Sequence, residues 1–340
     1  MDTRHDVAAV LAAYPAELQP TQIDDITAGA GFSGARLWRL TAPAGRLCLR
    51  RWPPEHPSAE RLPHIHAVLR HVAAVGLHVV PVPRVTSRGN SFVEHGGTLW
   101  EIAPWLPGTA DYHADPRPQR LAAAMQTLAR FHAASERFPG LSQRRVPSPA
   151  LAERLALLRR LRHTELAQLA VAVRGRTPDA IAVRARRLMD LFPQLASPIQ
   201  SQLEGAGEVP TRLIPCLRDI WHDHVLFRGD EVTGLLDFGS LRNESVAGDL
   251  ARLLGSLVSD DAERWRQGLA AYQQVRPLDV ADVSLIDAFD RSAVLLSGMN
   301  WLRWICLEGR RFERMTPVLE RLDEALCRAE HMARGGGLSE

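Results

Sequence analysis

Apolar and polar positions alternate in short runs over the first hundred residues, the pattern of half-buried strands. Residues 23–28 and 35–40 read as strands flanking GAGFSG, and 46–51 (RLCLRR) as a third after a turn at 42–45. Together they predict a meander whose first hairpin carries glycines at its tip. Leu62, Ile65, Leu69 and Val72 recur at helical spacing and predict a helix over 58–75 with one buried face. Residues 79–85 and 98–103 read as two more strands. The opening stretch, MDTRHDVAAVLAAYPAEL, is broken by charge and reads as a short amphipathic helix, not a signal peptide.

The segment PWLPG, 104–108, interrupts both helix and ladder with two prolines and a glycine, and is the expected hinge. Past it the period lengthens. Helices are predicted around Leu121, Met125, Leu128 and Phe131, then over 148–172 and 179–191. A short strand-like block follows (LIPCLRD, VLF, VTGLLDFG), and after it helices at 244–258, 260–274, 280–308 and 317–333. The fold class is therefore α+β: a β-rich N-terminal lobe over 1–103, a hinge at 104–108, a mainly helical lobe over 109–334, and a disordered tail at 335–340.

Composition narrows the function classes. The chain has 340 residues, 46% hydrophobic and 24% charged, with a net charge of +2. That balance asks for neither nucleic acid nor an anionic membrane. No run approaches the roughly 18 apolar residues of a membrane span. Cys48, Cys216, Cys306 and Cys327 are scattered without a CxxC pair, which suits a reducing compartment, so the expected location is cytoplasmic. All 41 cationic residues are Arg, so a catalytic lysine is excluded.

The chemistry concentrates in CLRDIWHDHVLFRGDEVTGLLDFGSLRNESVAGDLARLL, 216–254. Asp219 ends an apolar run, His224 follows five residues later, and a hairpin through RGDE leads to Asp237. Pairing VLF with VTGLLDF antiparallel would bring His224 and Asp237 to one end of the ribbon. Two carboxylates on strand ends can serve one centre. One would orient and deprotonate an attacking hydroxyl, the other would hold Mg²⁺ on nucleotide phosphates.

These motifs resemble the aminoglycoside phosphotransferase and choline kinase family of small-molecule kinases. Asp219 matches the family's catalytic Asp, Asp237 in LDFG its Mg²⁺-binding Asp, and Asp249-Leu250-Ala251 the helix that buttresses the site. GAGFSGARLWRL matches the glycine-bearing hairpin, EIAPWLPG the hinge, and LARFHAA a helix of the second lobe. The resemblance runs in order over 23–254 and implies a protein-kinase-like two-lobed fold. It implies ATP- and Mg²⁺-dependent phosphorylation of a small-molecule hydroxyl, with Mn²⁺ as a possible substitute, by a monomer or homodimer. Gly31, Phe32 and Ser33 would cover the phosphates, Arg50 would pair with them, and backbone at Pro104 and Leu106 would meet the adenine.

Four departures accompany the match. Leu217-Arg218-Asp219 stands for His-Gly-Asp, and His224 replaces a metal-binding Asn. Arg50 stands where the family has Lys, with a bulkier, planar fork. The helix after that strand offers Ile65 or His66 in place of a Glu, with Glu60 the only nearby acid. These changes open a second reading, a pseudokinase that binds nucleotide or metabolite with little or no transfer. His222, Asp223 and His224, with His64 and His66, lack the i, i+4 spacing of a helical zinc pair. Trp301 and Trp304, three apart on one helix, and Asp223 are candidate substrate contacts, set against ordinary core packing for the tryptophans.

Overall fold

The computed structural model describes residues 3–27, 34–175, 179–312 and 314–336. The chain divides into two compact units, Met1–Pro139 with His222–Arg242, and Gly140–Trp221 with Asn243–Glu340.

The first unit is built on an antiparallel sheet in the order β1-β2-β3-β5-β4. Its strands are β1 (Gln22–Asp25), β2 (Arg36–Ala42), β3 (Gly45–Arg51), β4 (Val93–His95) and β5 (Thr98–Pro104), numbered along the chain. Alternation sorts the side chains between two faces. Trp38, Leu40, Leu47, Leu49, Trp100 and Ile102 form one buried cluster with Val7, Val10 and Leu11 of helix α1 (Thr3–Leu11). Each fully buried Leu or Ile there contributes roughly 1.5–3 kcal/mol. The intervening residues of β3, Cys48 and Arg50, face the other way. That face receives His66 from helix α2 (Leu62–Ala74), through a contact to Glu101 on β5.

The same unit holds helix α3 (Pro118–Ser135) and a hairpin from much later in the chain. The hairpin pairs β7 (Val225–Arg228) with β8 (Glu231–Leu235), bulged between Leu226 and Phe227. A reciprocal bridge ties it to the segment after β5: Thr109 N–H donates to Phe227 O at 3.0 Å, and Phe227 N–H returns the bond at 2.8 Å. Gly108 makes this approach possible. Its φ is +106°, and an added Cβ would lie 2.6 Å from Phe227 O.

Residues 79–85 are not a strand. Pro81 and Pro83 cannot donate to a ladder, so the run is irregular and makes single bonds to its neighbours: Arg84 N–H to Ile102 O, and Leu235 N–H to Val79 O, each 2.7 Å. The short strand β4 has no counterpart in the sequence pattern, because three residues are too few to show a period.

In the second unit Ser148 caps helix α4 (Pro149–Arg160), which runs through a π-helical turn, Leu161–Glu165, into α5 (Leu166–Arg174). Helix α6 (Ala180–Ala206) continues well past 191, through Pro193 and Pro198. Its buried stripe, Leu195, Ala196, Ile199 and Leu203, extends beyond both prolines, and that burial outweighs the lost backbone bonds. Strands β6 (Ile214–Cys216) and β9 (Arg242–Glu244) pair. Helices α7 (Val246–Val258), α8 (Ala262–Gln273), α9 (Val280–Leu302) and α10 (Met315–Ala333) complete the unit, with α9 packed on α6, α7 and α10. An Asp279–Asp282 capping box starts α9, and a π-helical turn, Arg303–Leu307, ends it.

Candidate active site

In the first unit the hairpin does what its register requires. Leu236 N–H donates to His224 O at 2.9 Å, which turns both flanking side chains to one end of the ribbon. His224 Nε2 lies 3.8 Å from Asp237 Oδ2. Asp237 itself sits at φ +58°, a left-handed conformation costly for a residue with a Cβ and frequent where a side chain must be aimed.

Arg50 meets Asp237 from β3, with Nη1 3.3 Å from Oδ1. Its guanidinium also lies over the Trp52 ring, 4.4 Å from the centroid. Trp52 in turn covers Gly239, where an added Cβ would come within 2.8 Å of the indole. The glycine of LDFG is therefore a packing requirement of this cluster. Burial pushes the Asp237 carboxyl up, but the Arg50 charge, His224, the Gly239 N–H and the Arg50 hydrogen bond outweigh it. The group ends below its ordinary value and is ionised at neutral pH.

A second carboxylate completes the cluster. Glu101 stands directly opposite Arg50 in the β3–β5 register, on the same face of the sheet. His66 Nε2 holds its Oε2 at 2.8 Å, and His66 Nδ1 lies 2.8 Å from Ser91 Oγ. Burial alone would raise Glu101, but the His66 bond and charge and the Arg50 charge hold it below the usual range. The Trp52 indole N–H adds to this, although it falls short of hydrogen-bond geometry.

In the second unit the loop carrying Asp219 is braced from below. The buried Asp249 carboxylate accepts from Leu217 N–H and Arg218 N–H, both at 2.7 Å. Asp249 is thus a loop brace, while Ser245 caps helix α7. Arg218 has φ +65°, and its guanidinium bonds to Glu153. This strained residue immediately precedes Asp219, whose carboxylate is bonded to Arg252 and remains 43% exposed. Arg252 lies three residues after Asp249 on α7, and no motif in the sequence marks it.

The remaining candidates are placed as follows. Gly31, Phe32 and Ser33 lie outside the described residues. Pro104 pairs with Leu47 at the end of β5, and Leu106 packs over Gly234 of β8. Asp223 is exposed and sits 3.4 Å from His222 Nε2. The other histidines have packing roles: His64 meets the Phe138 ring edge-on and His222 meets His113. Trp301 is buried against Trp304 and Phe312, and Arg310 lies 4.8 Å over the Trp304 ring.

The two donors at the hairpin end, Asp237 and His224, are spaced so that both could reach one divalent cation. Asp237 is anionic, and its 3.8 Å separation from His224 is within the reach of two ligands about 2.1 Å from one ion. Hard oxygen donors beyond Asp237 would have to come from phosphate or water, as is usual for Mg²⁺.

Several known proteins are similar to this chain. The chain is 27% identical over 247 residues to the homoserine kinase of Janthinobacterium sp. (strain Marseille), covering 71% of this chain and 69% of that one. A homoserine kinase of Methylobacillus flagellatus is 27% identical over 248 residues, covering 70% and 67%. Among solved structures, amicoumacin kinase in complex with AMP-PNP, Ca²⁺ and Ami superposes with a TM-score of 0.65 at 15% identity, covering 99% of this chain and 95% of that one. The microcompartment-associated aminopropanol kinase gives 0.63 at 16% identity, covering 99% and 98%. At such identities the structures show the shared fold, a protein-kinase-like one with an antiparallel N-terminal sheet and a helical C-terminal part. The model of the phosphotransferase enzyme family matches residues 25–283, and the chain belongs to that family.

Proposed function

We propose that this chain transfers the terminal phosphoryl group of ATP, with Mg²⁺ or Mn²⁺, to a hydroxyl of a small molecule. The observation that carries the reading is the cluster of Arg50, Asp237 and His224. An ionised carboxylate held in a left-handed conformation stands beside an imidazole and a guanidinium, a set of groups suited to metal and phosphate. Family relatives named as homoserine, amicoumacin and aminopropanol kinases support a small-molecule acceptor.

In this reading Asp237 holds the metal, with His224 as a second contact, and Arg50 pairs with the phosphates. A bound metal would neutralise charge on the phosphate oxygens. Asp219, half exposed and fixed by Arg252 on a braced loop, orients the acceptor hydroxyl and takes its proton. Gly31, Phe32 and Ser33 cover the phosphates, and backbone at Pro104 and Leu106 meets the adenine. Asp223, Trp301 and Trp304 are the acceptor-side candidates. The nucleotide-binding lobe is 1–103, the hinge 104–108, and the protein acts in the cytoplasm as a monomer or homodimer.

One observation favours a second reading, a binding module with little transfer. Arg50 already spends its charge on Asp237. Thermal-shift titration with ATP, with and without Mg²⁺ or Mn²⁺, decides between them when paired with a screen of hydroxyl acceptors. A metal-dependent shift lost in Asp237→Asn, together with ADP release on some acceptor, is the outcome for the kinase. No metal-dependent shift in the wild type would sink the kinase reading. A shift without transfer to any acceptor would favour the module.

A further inference from the structure

Kinase-like sites that hold phosphate with a β3 cation need an acid to fix that cation, and here helix α2 supplies none within reach of Arg50. We infer that Glu101, on β5 opposite Arg50, is the positioning carboxylate for this guanidinium, and that His66 on α2 latches Glu101 in place.

The geometry is specific. Directly opposed residues of an antiparallel pair bring their side chains together on one face. Glu101 is only 7% exposed, and an acid this buried demands partners. It has His66 Nε2 at 2.8 Å, and Arg50 is its directly opposed residue on β3. His66 is 1% exposed, and its second nitrogen is fixed by Ser91 Oγ, so the ring cannot rotate away without breaking both bonds. The bonded chain from α2 therefore runs Ser91, His66, Glu101, and Arg50 stands opposite Glu101 in the β3–β5 register without an ion pair within 4 Å, with no carboxylate on the helix itself.

Its use follows from competition. Arg50 makes its ion pair with Asp237, while Glu101 faces it across the strand register as the second acid of this sheet face. A fixed Glu101 keeps a counter-charge for Arg50 when Asp237 turns to a metal, so the guanidinium stays aimed at phosphate. Without Glu101, Asp237 would be the only strong partner, and Arg50 would block the metal carboxylate.

The inference rests on the reading of Arg50 as a phosphate contact, and the experiment separates the two. Dissociation constants for MgATP and for adenosine are measured with wild type, Glu101→Gln, His66→Leu, His66→Gln and Arg50→Gln. MgATP affinity should fall roughly ten- to a hundredfold in Glu101→Gln and His66→Leu, the scale of one charge-assisted bond. Adenosine should change less than about twofold, since it has no phosphate for Arg50 to hold. His66→Gln, which keeps a donor, should recover most of the loss. Glu101→Gln should add nothing in an Arg50→Gln background. If Arg50→Gln binds MgATP like wild type, the phosphate reading of Arg50 fails, and this inference with it. If Arg50→Gln loses affinity but Glu101→Gln and His66→Leu do not, only the positioning role is overturned. Equal loss of adenosine would show Glu101 to be a fold element alone. Should Glu101→Gln fail to fold, the two His66 variants carry the same test.

Discussion

Arg50 and Asp237 are 187 positions apart in sequence and 3.3 Å apart in space. The pair sets cation against cation. A guanidinium at this distance opposes a metal on Asp237, yet in the proposed function it is also the group that pairs with phosphate. Arg50→Gln should therefore raise affinity for Mn²⁺ alone by about severalfold while lowering affinity for MgATP by about tenfold or more. Electron paramagnetic resonance of free Mn²⁺ and nucleotide calorimetry read the two effects. Both affinities moving in the same direction would contradict the competition.

The Asp249 brace makes a stability prediction. Asp249→Ala strands two N–H donors, buried Leu217 and half-buried Arg218, at a cost of about 2–4 kcal/mol. Asp249→Asn, which keeps one acceptor oxygen, should cost less. Urea denaturation of both variants checks the order, and an Ala variant as stable as wild type would remove the brace.

Gly239→Ala places a methyl against the Trp52 ring, which is itself 5% exposed. Overpacking of this kind costs about 1–3 kcal/mol. The penalty should shrink in a Trp52→Leu background, where the obstructing ring is gone. A double-mutant cycle on melting temperature measures that coupling.

Acid should weaken the first unit through Glu101. Its folded value lies below its unfolded one, near 4.3. The stability it adds is full above the unfolded value and is lost as pH falls through the lower folded value. Asp282 and Asp290, raised by burial, contribute in the opposite sense, so the bulk profile mixes both. Subtracting the unfolding free energy of Glu101→Gln from that of wild type at each pH isolates the Glu101 part. The difference should fall on acidification below about pH 4. A flat difference would contradict the assigned direction.

Much of this architecture is legible in the amino-acid sequence. The meander, α2 and the β7–β8 hairpin follow from period and turn chemistry, and the hairpin register alone anticipates the meeting of His224 with Asp237. What escapes the sequence depends on tertiary alignment. Glu101 acquires its role from a cross-strand register between β3 and β5, which neither strand encodes by itself. Arg252 reaches Asp219 only through the fold of a loop held by Asp249. Helix α6 overrides its prolines because a buried stripe continues past them. Residues 79–85 have the composition of a strand, but their prolines forbid the ladder.

The hairpin within the first unit has a consequence for how the chain is made. Its β7 and β8 are synthesised about 90 residues after α3, once the whole stretch 140–221 has emerged. Closing so long a loop is slow, and its entropy must be met before native contacts compensate. The sheet and α3 therefore wait on the ribosome with the Thr109 and Leu106 surfaces uncovered. Pausing or truncation between 140 and 242 exposes a half-finished unit to aggregation, so in vivo yield depends on the speed of translation through that window.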